Sequence, residues 1–143
     1  VTALKWHTEY LWFDTPRRVD FIEFTDKVAS IVKKSGVKEG FALVSAMHTT
    51  ATVFLNDAED GLLRDMGSLL EKLAPEKADY NHNKPAYGSE KNGHAHLRRL
   101  LCGHQELLPI TGGKLDLGPW ERLFYGEFDG QRKKRVLVKV FGE

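Results

Sequence analysis

Four of the six histidines in this chain fall in short polar clusters that follow or interrupt apolar runs. They are His48 in His48-Thr49-Thr50-Ala51, His82 in Tyr80-Asn81-His82, and His94 and His96 in Asn92-Gly93-His94-Ala95-His96. Neutral imidazole is the commonest protein ligand for zinc and similar ions, so the set points to metal chemistry. His94 and His96 are two apart, which puts them on different sides of a helix, so they do not share one ion from a regular helix. One ligand each from His48, His82 and His96 would leave a coordination position open for water or substrate. No HExxH or cysteine-pair motif backs that assembly. Each histidine also has a plain structural alternative: His48 bonded to a backbone carbonyl, His82 as a loop anchor, His94 capping or preceding a helix. His7 and His104 have no clustered partner.

Two carboxylates stand out for proton transfer. Asp65 lies at the flank of an apolar helical stripe, and Glu127 sits in a segment otherwise built from Phe124, Tyr125 and Phe128. An acid in an apolar strand can have its pKa raised by desolvation and serve as acid or base; a salt bridge is the competing expectation. Asn56 and Asp57 read as turn formers, Cys102 as a core filler beside Leu100 and Leu101, and Trp120 as a core or interface aromatic.

The elements that must position these groups follow from periodicity. Leu4, Trp6, Thr8, Tyr10 and Trp12 lie on one side of an extended first segment that Asp14-Thr15-Pro16 ends. After a short extended piece around Val19 to Phe24, Thr25 is placed to cap a helix with Val28, Ile31 and Val32 inside and Gly36 beyond. Phe41 to Met47 and Thr52 to Leu55 read as strands; Ala42, Val44, Ala46 and His48 share one face. A second helix runs from about Asp60 to Leu73, with Leu62, Leu63, Met66, Leu69, Leu70 and Leu73 in one stripe and Pro75 as its stop. Residues 78–93 form a long polar loop, the kind that is more often functional than idle. A third helix, from about His94 to Leu101, is expected to bury Leu97, Leu100 and Leu101 and leave His96 on its flank. Beyond Gly103 come strand-like pieces at 106–110, 114–117, 121–128 and 135–141, the last two around a Gly130 turn. No repeat or linker appears, so residues 1–143 are assigned to one α+β domain with a mostly antiparallel sheet.

A chain of 143 residues with 41% apolar and 29% charged residues buries a core without metals or disulfides. Lys and Arg (21) nearly balance Asp and Glu (20), which offers no electrostatic case for nucleic acid. The basic run Gln131 to Arg135 reads as a solvated hairpin turn. With Cys102 as the single cysteine no intrachain disulfide forms, and a reducing cytoplasm fits best. Val1 to Phe13 lacks the basic start and continuous apolar stretch of a signal peptide, and no segment is apolar enough to span a bilayer.

The ordered string of motifs is more specific than any one of them. It runs His48-Thr49-Thr50-Ala51, Asn56-Asp57, Arg64-Asp65, Pro75-Glu76, Tyr80-Asn81-His82, Asn92-Gly93-His94-Ala95-His96-Leu97, Leu115-Asp116-Leu117-Gly118-Pro119-Trp120 and Glu127-Phe128. Over nearly its whole length the chain resembles the YjbQ-type family, whose function is unsettled and which carries the label of a secondary thiamine-phosphate synthase enzyme. The resemblance implies a two-layer α+β fold, a homotrimer, and a site in which His48, His82 and His96 match the family's histidines with Asn56, Asp65 and Glu127 beside them. One departure is Pro119-Trp120-Glu121, where the family typically shows Thr-Trp-Gln; Glu121 would alter the charge of a pocket the amide lines.

Three functional expectations follow. In the first, His48, His82 and His96 hold a divalent metal, zinc favoured, Asp65 or Glu127 moves protons, and Asn56, Arg98 and Arg135 hold the cofactor or an anionic small-molecule substrate. In the second, the activity is thiamine-phosphate synthesis, which wants Mg²⁺ on oxygen ligands. In the third, the chain is a non-catalytic small-ligand binding or interaction protein.

Overall fold

The structure, a computed structural model, describes residues 3–143; Val1 and Thr2, where the alternating first segment begins, lie outside the described residues. Strand β1 (Lys5–Phe13) leads to β2 (Asp20–Glu23) and helix α1 (Thr25–Ser35). Strands β3 (Gly40–Ala46) and β4 (Ala51–Asn56) follow, then α2 (Asp60–Leu73), two 3-10 turns (Asn81–Asn83 and Pro85–Tyr87) and α3 (Gly93–Cys102). The chain closes with β5 (Gln105–Thr111), β6 (Lys114–Leu115), β7 (Arg122–Glu127) and β8 (Lys134–Gly142). The fold is α+β, with every strand pair antiparallel, in a five-stranded sheet ordered β1-β8-β3-β5-β6 and a three-stranded sheet ordered β2-β7-β4.

Local signals account for the helix ends. Gly36 takes the left-handed φ of 73° that stops α1. Thr25 does not cap that helix: its hydroxyl accepts the Leu123 N–H at 2.7 Å, which ties α1 to β7. Helix α2 starts on Glu59, whose carboxylate accepts the Gly61 and Leu62 N–H groups at 2.7 Å each and favours the positive end of the helix dipole.

Period-two alternation builds the shared core. Val136, Val138 and Val140 of β8 and Ala42, Val44 and Ala46 of β3 point inward and meet Val53, Leu123 and Tyr125 of the smaller sheet and Val28, Ile31 and Val32 of α1. Burial of each such aliphatic side chain contributes about 1.5–3 kcal/mol. On the other side of the smaller sheet, Phe128 packs with Leu70 of α2 and Ala95 of α3, and Cys102 lies against this second cluster, as a filler should.

Three expectations are corrected by the fold. Strands β7 and β8 do not form a hairpin around Gly130, because both edges of β7 are taken by β2 and β4 and both edges of β8 by β1 and β3; residues 128–133 cross between sheets instead. Helix α3 is turned the other way: Leu97, Leu100 and Leu101 are exposed while His94, Ala95 and Arg98 are buried. Arg98 can be buried because its guanidinium donates to the Ala74 carbonyl and to Glu71. Trp120 is exposed and so is not a core aromatic. The first-strand stripe of Trp6, Tyr10 and Trp12 also faces outward, in register with Phe141 and Phe41 of the neighbouring strands.

Candidate functional site

Three pieces of chain remote in sequence meet at one end of the smaller sheet. The first is the turn from β3 to β4, closed by the Ala51 N–H on the His48 carbonyl at 3.2 Å. Arg99 of α3 donates to the same carbonyl and holds the turn against the helix. Within the turn the His48 ring folds back, so that its Nδ1 meets the Thr50 N–H at 3.2 Å and the Thr50 hydroxyl at 2.9 Å. The half-buried His96 on α3 lies beside the Thr49 backbone, which weakly favours its protonated form.

The 3-10 turn at 81–83 brings the second histidine. The His82 and His96 rings stand edge to face, centroids 4.6 Å apart. This close approach needs Gly93 at the start of α3: a Cβ there would lie 2.9 Å from Tyr80 Cβ and 3.0 Å from Asn83 Oδ1, the atom that accepts the Gly93 N–H. His82 Nε2 lies 2.9 Å from Oδ1 of the buried Asn92. The Asn92 amide donates from Nδ2 to Asp129 at 2.9 Å and to Glu90 at 3.0 Å, so its oxygen is the end turned to His82. His82 therefore donates from Nε2, and Nδ1 is the ring nitrogen left for another partner. A recess of about 310 Å³ opens beside this pair, lined by Tyr80, Asn81, His82, Gly93, His96 and Leu97.

Beneath His48 lies a buried ion pair. Glu127, with no exposed surface, accepts the Tyr125 hydroxyl at 2.8 Å, the Phe128 and Asp129 N–H groups at 3.1 and 3.2 Å, and Lys134 Nζ at 2.6 Å. Lys134 spends its other two protons on Thr50 Oγ1 at 2.8 Å and the Asp129 carbonyl at 2.7 Å. Every ammonium proton thus has an acceptor.

The electrostatics favour neutral rings at His48 and His96. Burial, then the charges of Lys134 and Arg132, push His48 below the ordinary histidine value, with Glu127 and Asp129 opposing. Burial and then His82 do the same to His96. Burial also pushes the Lys134 ammonium down, against the pull of Glu127. For Asp129, burial works to raise the carboxyl, but the hydrogen bonds from Asn92 and Arg18 and the charge of Arg132 outweigh it and hold it below the usual carboxylate range. Arg18, Lys91 and Arg132 surround Asp129 and Asn92 in a charged recess of about 230 Å³.

The donor set matches a metal in part. Ligating histidines usually donate their other ring N–H to an oxygen that is itself hydrogen-bonded, and His82 does so through Asn92 to Asp129. His48 does not: its Nδ1 faces both the Thr50 N–H and the Thr50 hydroxyl, and the two donors together leave the neutral ring's proton on Nε2, where a ligand needs a lone pair. Among the described residues no three His, Cys, Asp or Glu side chains converge on one point as a metal-binding group.

A family profile described as UPF0047 protein YjbQ-like matches residues 9–143. The chain belongs to this family. A UPF0047 protein of Methanothermobacter thermautotrophicus is 36% identical over 137 residues, 96% of this chain and 93% of its own length. The crystal structure of a YbjQ-like protein of unknown function from Sulfolobus solfataricus P2 is 31% identical, with a TM-score of 0.93 over 99% of this chain and 100% of that one. An uncharacterised YjbQ/UPF0047 protein of Clostridium acetobutylicum is 36% identical, with a TM-score of 0.85 over 92% and 98% of the two chains.

Within this YjbQ-like chain, the other residues singled out by sequence lie elsewhere. Asp65 is exposed on α2, and Asn56 lines an apolar groove with Phe54, Met66 and Leu69. Arg98 is committed to Glu71 and Ala74, and Arg135 lies over the Tyr10 ring, 5.0 Å from its centroid, on the outer face of the large sheet. Glu121 accepts the Gly118 N–H at 2.8 Å and lines a cleft of about 600 Å³ between α1 and β6 whose lining has no histidine. His82 and His96 line the smaller recess instead. His94 is neither cap nor ligand but fully buried inside α3. Sequence reasoning missed Thr50, Asn92, Asp129, Lys134, Arg18 and Arg132. Lys134 had a readable signal, since it lies in phase with the inward-facing Val136, Val138 and Val140.

Proposed function

We propose that this YjbQ-like protein is a small-molecule enzyme centred on the recess between His82 and His96. The observation that carries this reading is the edge-to-face pair itself, with the His82 ring locked through Asn92 to Asp129. His82 and His96 are the residues fitted to hold a divalent metal, zinc favoured over Mg²⁺ because the donors are nitrogens. A metal bound there would supply Lewis-acid polarisation or a water of lowered pKa. His48, the third histidine of the matched set, sits on the β3–β4 turn with Thr50 as its partner and does not line that recess. Lys91, in place of Arg98 and Arg135, is the lining cation left to meet a phosphate or carboxylate, since Arg18 is paired with Glu76 and Asp129 and Arg132 with Asp129. Glu127 is saturated and buried, so it acts through Lys134 and not on substrate.

Replacing His82 with alanine is expected to lower Zn²⁺ affinity more than about tenfold, as measured by titration calorimetry, while leaving the melting temperature near that of the parent. Equal Zn²⁺ affinity in the two proteins would sink the metal reading. Thiamine-phosphate synthesis is a narrower reading, in which Lys91 would meet a precursor's phosphate. Product formation from the pyrimidine diphosphate and the thiazole phosphate with Mg²⁺, abolished in His82→Ala, supports it. Saturable binding of a small anion with no turnover of any phosphorylated compound supports a non-catalytic binding protein instead.

A homotrimer fits the outer face of the large sheet. Trp6 stacks on Phe141, ring centroids 5.1 Å apart, and Trp6, Tyr10, Trp12, Phe41 and Leu107 are all exposed on that face. An apolar patch of this kind marks an interface more often than free surface. Sedimentation should give three times the 16.2 kDa chain mass, and Trp6→Glu with Trp12→Glu should give monomers. An unchanged mass in that double variant would place the contact elsewhere.

A further inference from the structure

We propose that Lys134 and Thr50 are positioning residues that hold His48 as its Nε2–H tautomer, so that His48 does not serve as a metal ligand. The direction of each hydrogen bond can be read along the chain of contacts. Lysine ammonium only donates, and Lys134 does so to Glu127, the Asp129 carbonyl and Thr50 Oγ1. With its oxygen receiving Lys134, the Thr50 hydroxyl turns its own proton to His48 Nδ1 at 2.9 Å. The Thr50 backbone N–H points at the same Nδ1 from 3.2 Å, and a backbone amide has no second role there. A proton on Nδ1 would face two donors, so the neutral ring carries it on Nε2.

This order is anchored in the most buried ionic group of the molecule. Glu127 and Lys134 are both almost wholly buried, and Glu127 is held by Tyr125 and two backbone amides besides, so the anchor has one arrangement. A metal-ligating histidine needs the opposite order, with Nδ1–H donating to an oxygen and Nε2 bare. His82 presents that ligand-type order with its two nitrogens exchanged, and His48 does not. The inference rests on the site reading above only for the metal that His48 would not bind, and the tautomer is a property of the chain alone.

Long-range ¹H–¹⁵N correlation spectra of the ¹⁵N-labelled full chain, recorded with and without Zn²⁺, test it. The parent should show His48 protonated on Nε2 in both conditions. Thr50→Ser keeps the hydroxyl and should keep that pattern, whereas Thr50→Val should show a mixture of tautomers; a purely structural role for Thr50 would not move this signature. Zn²⁺ affinity of His48→Ala should stay within about twofold of the parent, against the loss of more than about tenfold in His82→Ala. Protonation of His48 on Nδ1 in the parent, a switch to it on adding Zn²⁺, or an unchanged spectrum in Thr50→Val overturns the inference. So does an affinity loss in His48→Ala equal to that in His82→Ala. If no form binds Zn²⁺, the metal reading fails by itself and the spectra alone decide the tautomer.

Discussion

Lys134→Met is expected to lower folding stability by about 3–5 kcal/mol, the range for removing one partner of a buried ion pair. The lower end is favoured here, because Glu127 keeps the Tyr125 hydroxyl and the Phe128 and Asp129 amides as donors after the lysine is gone. Glu127→Leu should lie nearer the upper end. It strands an ammonium group whose remaining acceptors, Thr50 Oγ1 and the Asp129 carbonyl, are both uncharged. The double replacement Glu127→Leu with Lys134→Met should recover most of the loss, since well-packed apolar residues substitute for a buried pair at little net change. Urea denaturation of the three variants gives the coupling directly. A loss under about 1 kcal/mol in Lys134→Met would show that the pair is not buried as described. The double variant also removes the Thr50 hydroxyl's donor, so its His48 spectrum reports on the relay separately from stability.

His94→Leu is expected to have the opposite sign and to stabilise the protein by about 1–3 kcal/mol, the usual penalty for a buried polar group left unpaired. His94 has no exposed surface, and neither ring nitrogen has a hydrogen-bond partner in the structure. Leucine is close to histidine in volume, so the gain is not offset by a large cavity. The pH dependence follows from the same burial. Burial first, then the charges of Arg98 and Arg18, hold the His94 pKa below 6.5, with Glu76 and Asp129 opposing. A folded value below the unfolded one means that the unfolded chain binds more protons as pH falls below 6.5, so stability is lost in that direction. His48 and His96, also lowered, add to the slope. Denaturation curves between about pH 7.5 and 5 should show a shallower decline for His94→Leu than for the parent. Destabilisation by more than about 1 kcal/mol at pH 7.5 would mean that the ring makes a contact leucine cannot replace.

Local order was open to reading from the residues. The bounds of α2, the Gly36 stop of α1 and the alternation of β3 and β8 depend on neighbours within a few positions, where capping and periodicity act. The motif string carried the family, and set His48, His82 and His96 apart from His7 and His104. Periodicity says which residues share a face, however, and not which face is covered. On α3 the leucine stripe is the more apolar, yet the buried side is that of His94, Ala95 and Arg98, because Arg98 finds the Ala74 carbonyl and Glu71 on a different helix. The expected β7–β8 hairpin failed for a similar reason. A strand has two edges, and partners brought in from β1, β2, β3 and β4 occupied all four.

By itself, then, the sequence determined the elements, the fold class and the family, and it selected the histidines. Only the tertiary structure decided what each histidine can do. His82 is fixed by Asn92, ten residues on, which Asp129 then orients from 37 residues further along. His48 is fixed by Thr50 beside it, which is in turn set by Lys134 from 84 residues away. Whether a ring nitrogen carries a proton or a lone pair depends on the donor or acceptor facing it, and that neighbour is supplied by the folded chain rather than by spacing along it.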